Sequence, residues 1–449
     1  MNDFVKDIVD WLESERVRLA EIARSEDWLG KLLVPRPIAT EIEGDRCTFK
    51  YEAIDYSIDQ VLFRLLKVEP RVSREPTPLA RSLHQEFGPA CFVHSEMSDV
   101  DFGVEPARWI QVFLLDSLRA DYLVALGMFD RSDRDKAAQL ATGLLSLLAT
   151  ETLEAVEAVP AAGLQLEGPA LTAHGEWLHG TVRPLTPSEL GSLWGARHSP
   201  AIFQIDRFGR RRFGIVGERV AVEARMRFKK SEDLHTGMHT HLPLKRLMLA
   251  MKLLGFDVSG EGLVIRWTEP GPSFYGGAGG SKLMKSGSVT KSVIAEKDFR
   301  RAVSLAERIP VDAFHSPRKR QDVALHRIDR CLSEDRAGDA LVDGVIALEA
   351  LFLPESNQGE LSFRLKLFGS HFLGSDQATR KQVFDHLDHI YKVRSKLVHG
   401  LKSPTAEELK MASAYVKDIA SRVVIKSLEE GFPDQRKLQD LVVNAGAAP

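Results

Sequence analysis

Residues 391–400 read YKVRSKLVHG and place an arginine and a histidine five residues apart at the end of a predicted helix. Arginine offers a planar cation that can hold a phosphorane, and histidine can carry a proton. Arg394 and His399 would therefore suit cleavage of an RNA phosphodiester by the RNA's own 2′-hydroxyl, a reaction that needs no metal ion.

The helical spacing of the two residues sets a condition on such a site. At about 100° and about 1.5 Å per residue, Arg394 and His399 lie roughly 140° apart and about 7.5 Å apart along the axis. The long arginine side chain, a widened last turn, or a two-fold partner helix would bring both groups to one phosphate. We therefore expect a homodimer, or a higher homo-oligomer, formed through the C-terminal helices.

Arg394 interrupts an apolar stripe, and its guanidinium needs an acceptor there. The other positions of the stripe, at spacings of three and four, are Val383, Leu387, Ile390, Leu397 and Leu401. One candidate acceptor is Glu349, within VIALEALFL, for which Arg364 competes. If Arg364 takes Glu349, Arg394 is available for substrate; if Arg394 takes it, Arg394 is structural.

Several side chains surround the pair in the sequence. Ser395 lies one turn before His399 and could orient its ring through a hydrogen bond, and Lys396 adds positive charge beside the pair. Asp388 and Lys392 share the helical face of His399. Two further histidines on this helix, His386 and His389, are predicted to be surface or interface residues.

Other polar stretches predict no metal and no cofactor. The histidines of HTGMHTH (His235, His239 and His241) lack the glutamate of H-E-x-x-H and precede a helix. The stretch GGAGGSKLMKSGS lacks a G-K-[ST] triplet at P-loop spacing and is predicted to be a flexible loop.

The charge of the chain restricts where nucleic acid could bind. With a net charge of -3 there is no general excess of basic charge, so an RNA contact must be local. RFGRRRFG predicts a solvated hairpin turn or, as the alternative, an RNA-binding site through Arg210, Arg211 and Arg212.

Composition indicates a globular cytoplasmic protein without a targeting segment or membrane span. The chain has 449 residues, enough for roughly three domains, with 44% hydrophobic and 27% charged residues. Charged residues interrupt its most apolar stretches within the length that a bilayer requires. Cys47, Cys91 and Cys331 are far apart in sequence, which favours reduced thiols.

The predicted architecture is α+β and multidomain. Residues 1–159 are predicted to be mostly helical, with a short strand near CTFKYEAIDYS, a core helix over LATGLLSLLATETLEAV and a break at 160–163. Residues 160–300 form a mixed α/β region, with a half-buried strand in GERVAVEARMRFKK, a helix from Pro243 to Gly255, and an extended GLVIRWTE.

The last third is predicted to be an all-helical domain, residues 301–432, followed by a tail at 433–449. A fifth helix begins at the N-cap Ser403 and Pro404, and the chain after Gly431 is predicted to fray. The four helices before it are predicted at residues 318–331, 337–353, 360–372 and 377–399.

The span from about 318 to 428 resembles the ApeA-like branch of the HEPN domains. The stretches DALVDGVIALEALFL, ELSFRLKLFGSHFLG and YKVRSKLVHG occur in the order and with the helix lengths of that family. The resemblance implies an all-helical, dimeric, metal-independent ribonuclease with an R-x(4-6)-H motif, here Arg394 and His399. Active members often have Asn, Asp or His after the arginine, where this chain has Ser395.

The resemblance also implies a role in anti-phage defence, as an abortive-infection or toxin-like effector that a phage-derived or small-molecule trigger activates. Two alternatives remain open. One is a non-catalytic HEPN module for RNA binding or protein assembly. The other is a sensor that binds a small ligand in the mixed α/β region.

Overall fold

The computed structural model describes most of the chain, with gaps concentrated before residue 292. The described residues are 2–25, 36–43, 46–52, 75–87, 107, 110–115, 118–119, 122, 132–161, 164–166, 168–184, 212–213, 220–229, 242–256, 258, 265–269, 292–315, 317–353, 360–400 and 403–444. They form an α+β architecture, as the sequence predicts.

The N-terminal helices pack around a core of their own. The longest, α1, packs against α3 across this core, and the Arg119 guanidinium forms a salt bridge with Glu15. The large buried side chains of this core include Ile8, Leu12, Leu83, Leu115 and Tyr122. The helices are α1 (Asn2–Ser25), α2 (Pro78–Phe87), a π-helix (Ile110–Leu115) and α3 (Arg134–Ala149).

Three sheets occur in the described residues. The largest is antiparallel, with strand order β5-β6-β8-β3-β9; β1, β2 and β7 form a second sheet, and β4 pairs with β10 in a third. The predicted strand near CTFKYEAIDYS corresponds to β2. The strands are β1 (Arg36–Glu43), β2 (Arg46–Glu52), β3 (Thr152–Ala161), β4 (Leu164–Gln165), β5 (Leu171–His174), β6 (Leu178–Pro184), β7 (Arg212–Phe213), β8 (Val220–Lys229), β9 (Ile265–Glu269) and β10 (Ser292–Val293).

Strand β3 corrects two predictions. The helix predicted over LATGLLSLLATETLEAV ends at Ala149, and the chain continues as a strand. The predicted break at 160–163 begins inside that strand, where Pro160 pairs with Ala221 of β8. Among the described residues, pairing with β9 stops at Ala158, so the described strand partner of Pro160 is on one side only, a position that tolerates the missing N–H of proline.

Strand β8 is more buried than its alternating sequence predicts. Val220, Val222, Ala224 and Met226 are buried as predicted, but Ala221 and Glu223 are buried too. The Glu223 carboxylate accepts hydrogen bonds from the guanidinium groups of Arg183 and Arg225. Because this pairing satisfies the buried charge, both faces of the strand can be covered.

Two helices cover the large sheet. Helix α4 (Pro243–Leu253) begins with proline at its first turn and is followed by Gly255 at φ 88, as predicted. Helix α5 (Glu296–Arg308) packs so closely on β6 that a Cβ on Gly180 would lie 2.8 Å from Val303 Cγ2. Only glycine allows this approach.

The remaining helices agree with the four predicted C-terminal ones to within two residues. After a short α6 (Asp312–His315) the chain forms α7 (Arg320–Ser333), α8 (Ala337–Phe352), α9 (Leu361–Leu373), α10 (Gln377–His399), α11 (Ala406–Glu430) and α12 (Gln435–Val443). The N-cap of α11 is Thr405, not Ser403, because a capping box with Glu408 satisfies the first amides. The predicted fraying is wrong for the described residues 432–444: α12 buries Leu438 and packs on α9.

One hydrophobic core runs from the sheet into the C-terminal helices. It includes Val182 of β6, Phe299 of α5, Leu348 of α8 and Leu438 of α12. The predicted domain boundary at 159/160 falls inside strand β3, and the one at 300/301 falls inside helix α5. The division into three domains therefore stays a prediction.

The predictions about the cysteines and about membrane spans can be compared with the structure only for the described residues. Cys331 is a free thiol in this core, and burial raises its pKa to about 12. The Cys91 position and the Cys47 side chain lie outside the described residues. No helix among the residues described is long and apolar enough to cross a membrane.

Candidate active site

Helix α10 carries the Arg–His motif, and its ends are fixed by local signals. The Asp376 side chain accepts a hydrogen bond from the Thr379 amide at 2.9 Å, and Gly400 ends the helix at φ 67. Val383, Leu387 and Ile390 are buried against the other helices, as the apolar stripe predicts. The caps and the buried stripe therefore hold the C-terminal end of the helix in a defined position.

Arg394 lies at the edge of this buried stripe. Its side chain is half-buried, whereas the preceding residue, Val393, is fully buried. Its Nε atom is inaccessible to solvent and has no hydrogen-bond partner among the described residues. Within the described part of the chain, Arg394 forms no salt bridge. Leu397 is half-buried, and Leu401 lies outside the described residues.

Glu349 has a partner that the sequence did not predict. The Tyr391 hydroxyl donates a hydrogen bond to the Glu349 carboxylate. Burial, and next this hydrogen bond, raise the pKa of Tyr391 well above its usual range. Tyr391 is the hydrogen-bond partner that the described contacts give Glu349, and the pairing of Glu349 with Arg394 or Arg364 stays a prediction. The Arg364 guanidinium lies 5.8 Å from the Phe368 ring centroid.

His399 and Ser395 are both exposed on the surface of α10. In the described structure no hydrogen bond joins them, so the predicted orientation of the ring by Ser395 is not formed. The Gly400 amide donates to the Lys396 carbonyl at 3.1 Å, an ordinary α-helical bond. The last turn is therefore not widened, which leaves the length of the Arg394 side chain or a partner helix to bring the two groups together.

Lys396 connects α10 to the next helix. Its Nζ lies 2.7 Å from Glu408 Oε1, and Glu408 also accepts a hydrogen bond from the Thr405 amide in the capping box. These hydrogen bonds, the one from Lys396 first, lower the pKa of Glu408 to about 2. Lys396 thus fixes the position of the motif relative to α11.

A second group of charges lies on the face of α10 that includes His399. Asp388 Oδ1 is 2.8 Å from Lys366 Nζ on α9, and Asp388 Oδ2 is 2.6 Å from Lys392 Nζ. Hydrogen bonds from Lys366 and then Lys392 lower the pKa of Asp388. The two lysines and one aspartate form a charged cluster about two to three helical turns before His399.

The two earlier histidines of α10 pack inside the chain. The ring of His386 stacks on Tyr415 of α11 at 3.9 Å between centroids, and His389 meets the same ring edge-on at 5.9 Å. Both side chains are half-buried in this helix–helix contact, and their predicted surface or interface role stays a prediction.

The other predicted sites fall largely in undescribed segments. Arg210 and Arg211, the loop at 276–288 and the histidines at 235, 239 and 241 lie outside the described residues. Arg212 begins strand β7, where it pairs with Thr48 of β2, so at least this end of the predicted hairpin turn is extended. Among the residues with a described placement, no group of three or more His, Cys, Asp or Glu could hold a metal ion.

Two residues of the site were missed by the sequence analysis. Tyr391 stands inside the quoted motif and stabilises Glu349, and Glu408 anchors Lys396. The T-x-x-E pattern of residues 405–408 would have revealed Glu408 as part of a capping box.

No family model, no curated protein and no solved structure matches this chain.

Proposed function

We propose that the C-terminal helices form a HEPN domain of the ApeA-like branch that cleaves RNA without a metal ion. The observation that carries the proposal is the guanidinium of Arg394, which is half-buried at the end of α10 without an acceptor from the described chain. A phosphate is the acceptor that suits a planar guanidinium. The exposed imidazole of His399 lies one and a half helical turns further on.

In this mechanism the RNA supplies its own nucleophile. The 2′-oxygen attacks the adjacent phosphorus, and the bond to the 5′-oxygen of the next nucleotide breaks. His399 transfers the proton, while Arg394 holds the negative charge that develops on the phosphorane. The products are a 2′,3′-cyclic phosphate and a 5′-hydroxyl, and no water is consumed in this step.

A homodimer through the C-terminal helices would complete the site. The α10 geometry keeps Arg394 and His399 on different sides of one helix, so a second copy can supply the missing group. Two exposed apolar side chains lie on α10 and α11: Val398 is 52% exposed and Met411 is 41% exposed. Light scattering of the full chain should give a dimer mass at micromolar concentration.

Cleavage assays with full-length protein test the mechanism. A single-stranded RNA should be cut in excess EDTA, and a 2′-deoxy sugar at the cut site should block cleavage. His399→Ala and Arg394→Lys should both lose activity while remaining folded, the second because lysine lacks the planar fork. Activity that depends on metal, or that survives His399→Ala, would refute the proposal.

Matched controls for these variants come from residues outside the site. Arg300 of α5 is exposed and paired with Glu296, so Arg300→Lys makes the same change away from α10. His174→Ala removes an exposed histidine from the large sheet. Both variants should cleave RNA at the rate of the unmodified protein.

The biological role that we propose is cytoplasmic anti-phage defence by an abortive-infection or toxin-like mechanism, with a phage-derived or small-molecule trigger. Expression should be toxic, or become toxic during infection, and His399→Ala should relieve it. Toxicity that persists in this variant would separate the cellular effect from the proposed site.

A second candidate function is a non-catalytic HEPN module that binds RNA or supports assembly. The observation that favours it is Ser395, which is exposed and forms no described hydrogen bond to His399. Binding of RNA in a gel-shift assay, lost in Arg394→Met but with no product formed, would support this alternative.

A further inference from the structure

Arg246 is a buried arginine in a part of the fold that the proposed cleavage site does not use. It lies in the first turns of α4, where this helix packs on the large sheet, and is 7% exposed. Its guanidinium carbon lies 4.8 Å from the ring centroid of Trp177, in the turn between β5 and β6. Trp177 packs against both hydrophobic cores. Arg246 is therefore held at their junction.

The guanidinium of Arg246 has no counter-ion in the described part of the chain. Its Nε is inaccessible to solvent without an acceptor, and no described carboxylate forms a salt bridge with it. The Glu307 carboxylate is used elsewhere, since it accepts the Trp177 and Leu178 amides at 2.7 Å and 3.0 Å. By contrast, Arg119 is buried to a similar extent and pairs with Glu15.

The contact with Trp177 satisfies one face of the guanidinium but none of its donors. A cation over an indole gains electrostatic energy, yet the five N–H groups point outward in the guanidinium plane. Burial lowers the pKa of Arg246 to about 10, so the group stays a cation at neutral pH. A buried cation whose Nε has no acceptor among the described residues is suited to an anionic acceptor.

The backbone beside Arg246 supports the same conclusion. Leu242, whose carbonyl accepts the Arg246 amide, has φ 42, a conformation that bulky residues rarely adopt. Such backbone strain concentrates at sites that hold ligands. Leu242 is also the N-cap of α4 and makes no side-chain cap hydrogen bond, so the first amides of this helix add donors at the same end.

We propose that Arg246, backed by the Trp177 indole, binds an oxyanion, the phosphate or carboxylate group of a small ligand, at the junction of α4 with the large sheet. The planar guanidinium would donate two parallel hydrogen bonds to the oxyanion. This site is separate from the proposed RNA-cleaving residues and does not depend on their activity.

Thermal unfolding of the full chain tests the site with two simple probes, inorganic phosphate and succinate, at constant ionic strength set with chloride. A specific ligand raises the melting temperature in a saturable way, because it binds the folded state. We expect saturation with at least one probe. Phosphate alone would indicate a phosphorylated ligand, and succinate alone a carboxylate ligand.

Variants at neighbouring positions separate the site from general charge effects. Arg246→Met should abolish the saturable shift, and Arg246→Lys should weaken binding by about tenfold because it loses the second hydrogen bond. Lys245→Met removes the same charge from the adjacent, exposed residue and should bind as the unmodified protein does. If Arg246→Met does not fold, Arg246→Lys provides the comparison.

Two outcomes would overturn the proposal. The first is a melting temperature of the unmodified protein that neither probe raises saturably. The second is an equal shift in the folded Arg246→Met or Arg246→Lys variant and in the unmodified protein. In either case Arg246 serves only to pack against Trp177. RNA cleavage by Arg246→Lys, measured in parallel, shows whether the proposed ribonuclease function fails together with this site or independently of it.

Discussion

Replacing Arg394 by methionine is expected to stabilise the fold slightly while abolishing RNA cleavage. The Nε of Arg394 is buried without an acceptor from the part of the chain that the structure describes, and a polar group in that condition costs about 1–3 kcal/mol. Because the side chain is only half-buried, we take the lower end of that range, a gain of about 1 kcal/mol. Methionine keeps an apolar stem of similar length against the stripe.

Urea unfolding followed by circular dichroism measures this change as a shift in midpoint with an unchanged slope. The matched control is Arg422→Met on α11, where the exposed guanidinium lies 3.3 Å from Asp418. Loss of such a surface pair should change stability by less than about 1 kcal/mol. If Arg394→Met instead destabilises the protein by more than about 1 kcal/mol, the guanidinium has a structural role and the argument for a phosphate acceptor fails.

Three further predictions concern other parts of the fold. Gly344→Ala should destabilise the fold by about 1–3 kcal/mol, because the new Cβ would lie 2.6 Å from a valine methyl of α11. Gly143→Ala, with no atom within 4 Å of its new Cβ, should stabilise the fold by about 0.5–1 kcal/mol. Equal stabilities of the two variants in urea unfolding would contradict this prediction. Burial, and next the adjacent imidazole, lower the pKa of His179 below 6.5 in the folded state, so the unfolded chain binds more protons and stability should fall as pH decreases through about 6.5. His179→Asn should flatten that part of the curve of melting temperature against pH, and an unaltered curve would refute the assignment. Lys396→Met should raise the pKa of Glu408 from about 2 towards 4.5 in an NMR titration, and a value that stays near 2 would assign the shift to the capping box alone.

The ends of the C-terminal helices could be predicted because each depends on residues close in sequence. Helix α10 has its predicted bounds, since the Asp376 cap and Gly400 are local signals. The start of α11 was misplaced although its signal is also local. Ser403 and Thr405 are both good caps, and only the reciprocal bond with Glu408 decides between them.

Features that depend on distant contacts were not predictable in this way. The partner of Glu349 is 42 residues away, and helical periodicity shows which face Tyr391 occupies but not what lies opposite. Strand β3 was read as helix and break because Ala- and Leu-rich sequence favours helix, and its strand partners β8 and β9 lie far along the chain. Burial of Glu223 depends on an arginine of β6 for the same reason.

Arg246 and Arg394 differ from the other buried charges of the described chain in their pairing. In the part of the chain that the structure describes, other buried charges find partners: Glu15 for Arg119, Arg183 and Arg225 for Glu223, and Arg327 and Arg330 for Asp343. Arg246 and Arg394 each have a buried Nε and no described acceptor. An unpaired cation lowers stability, and binding an anion would offset that cost, which is the basis of both proposals. Their surroundings separate the proposed uses. Arg394 is at a helix end, followed by an exposed histidine that can move a proton. Among the described residues, an aromatic ring and backbone donors lie beside Arg246, and these groups suit holding an anion and not transforming it.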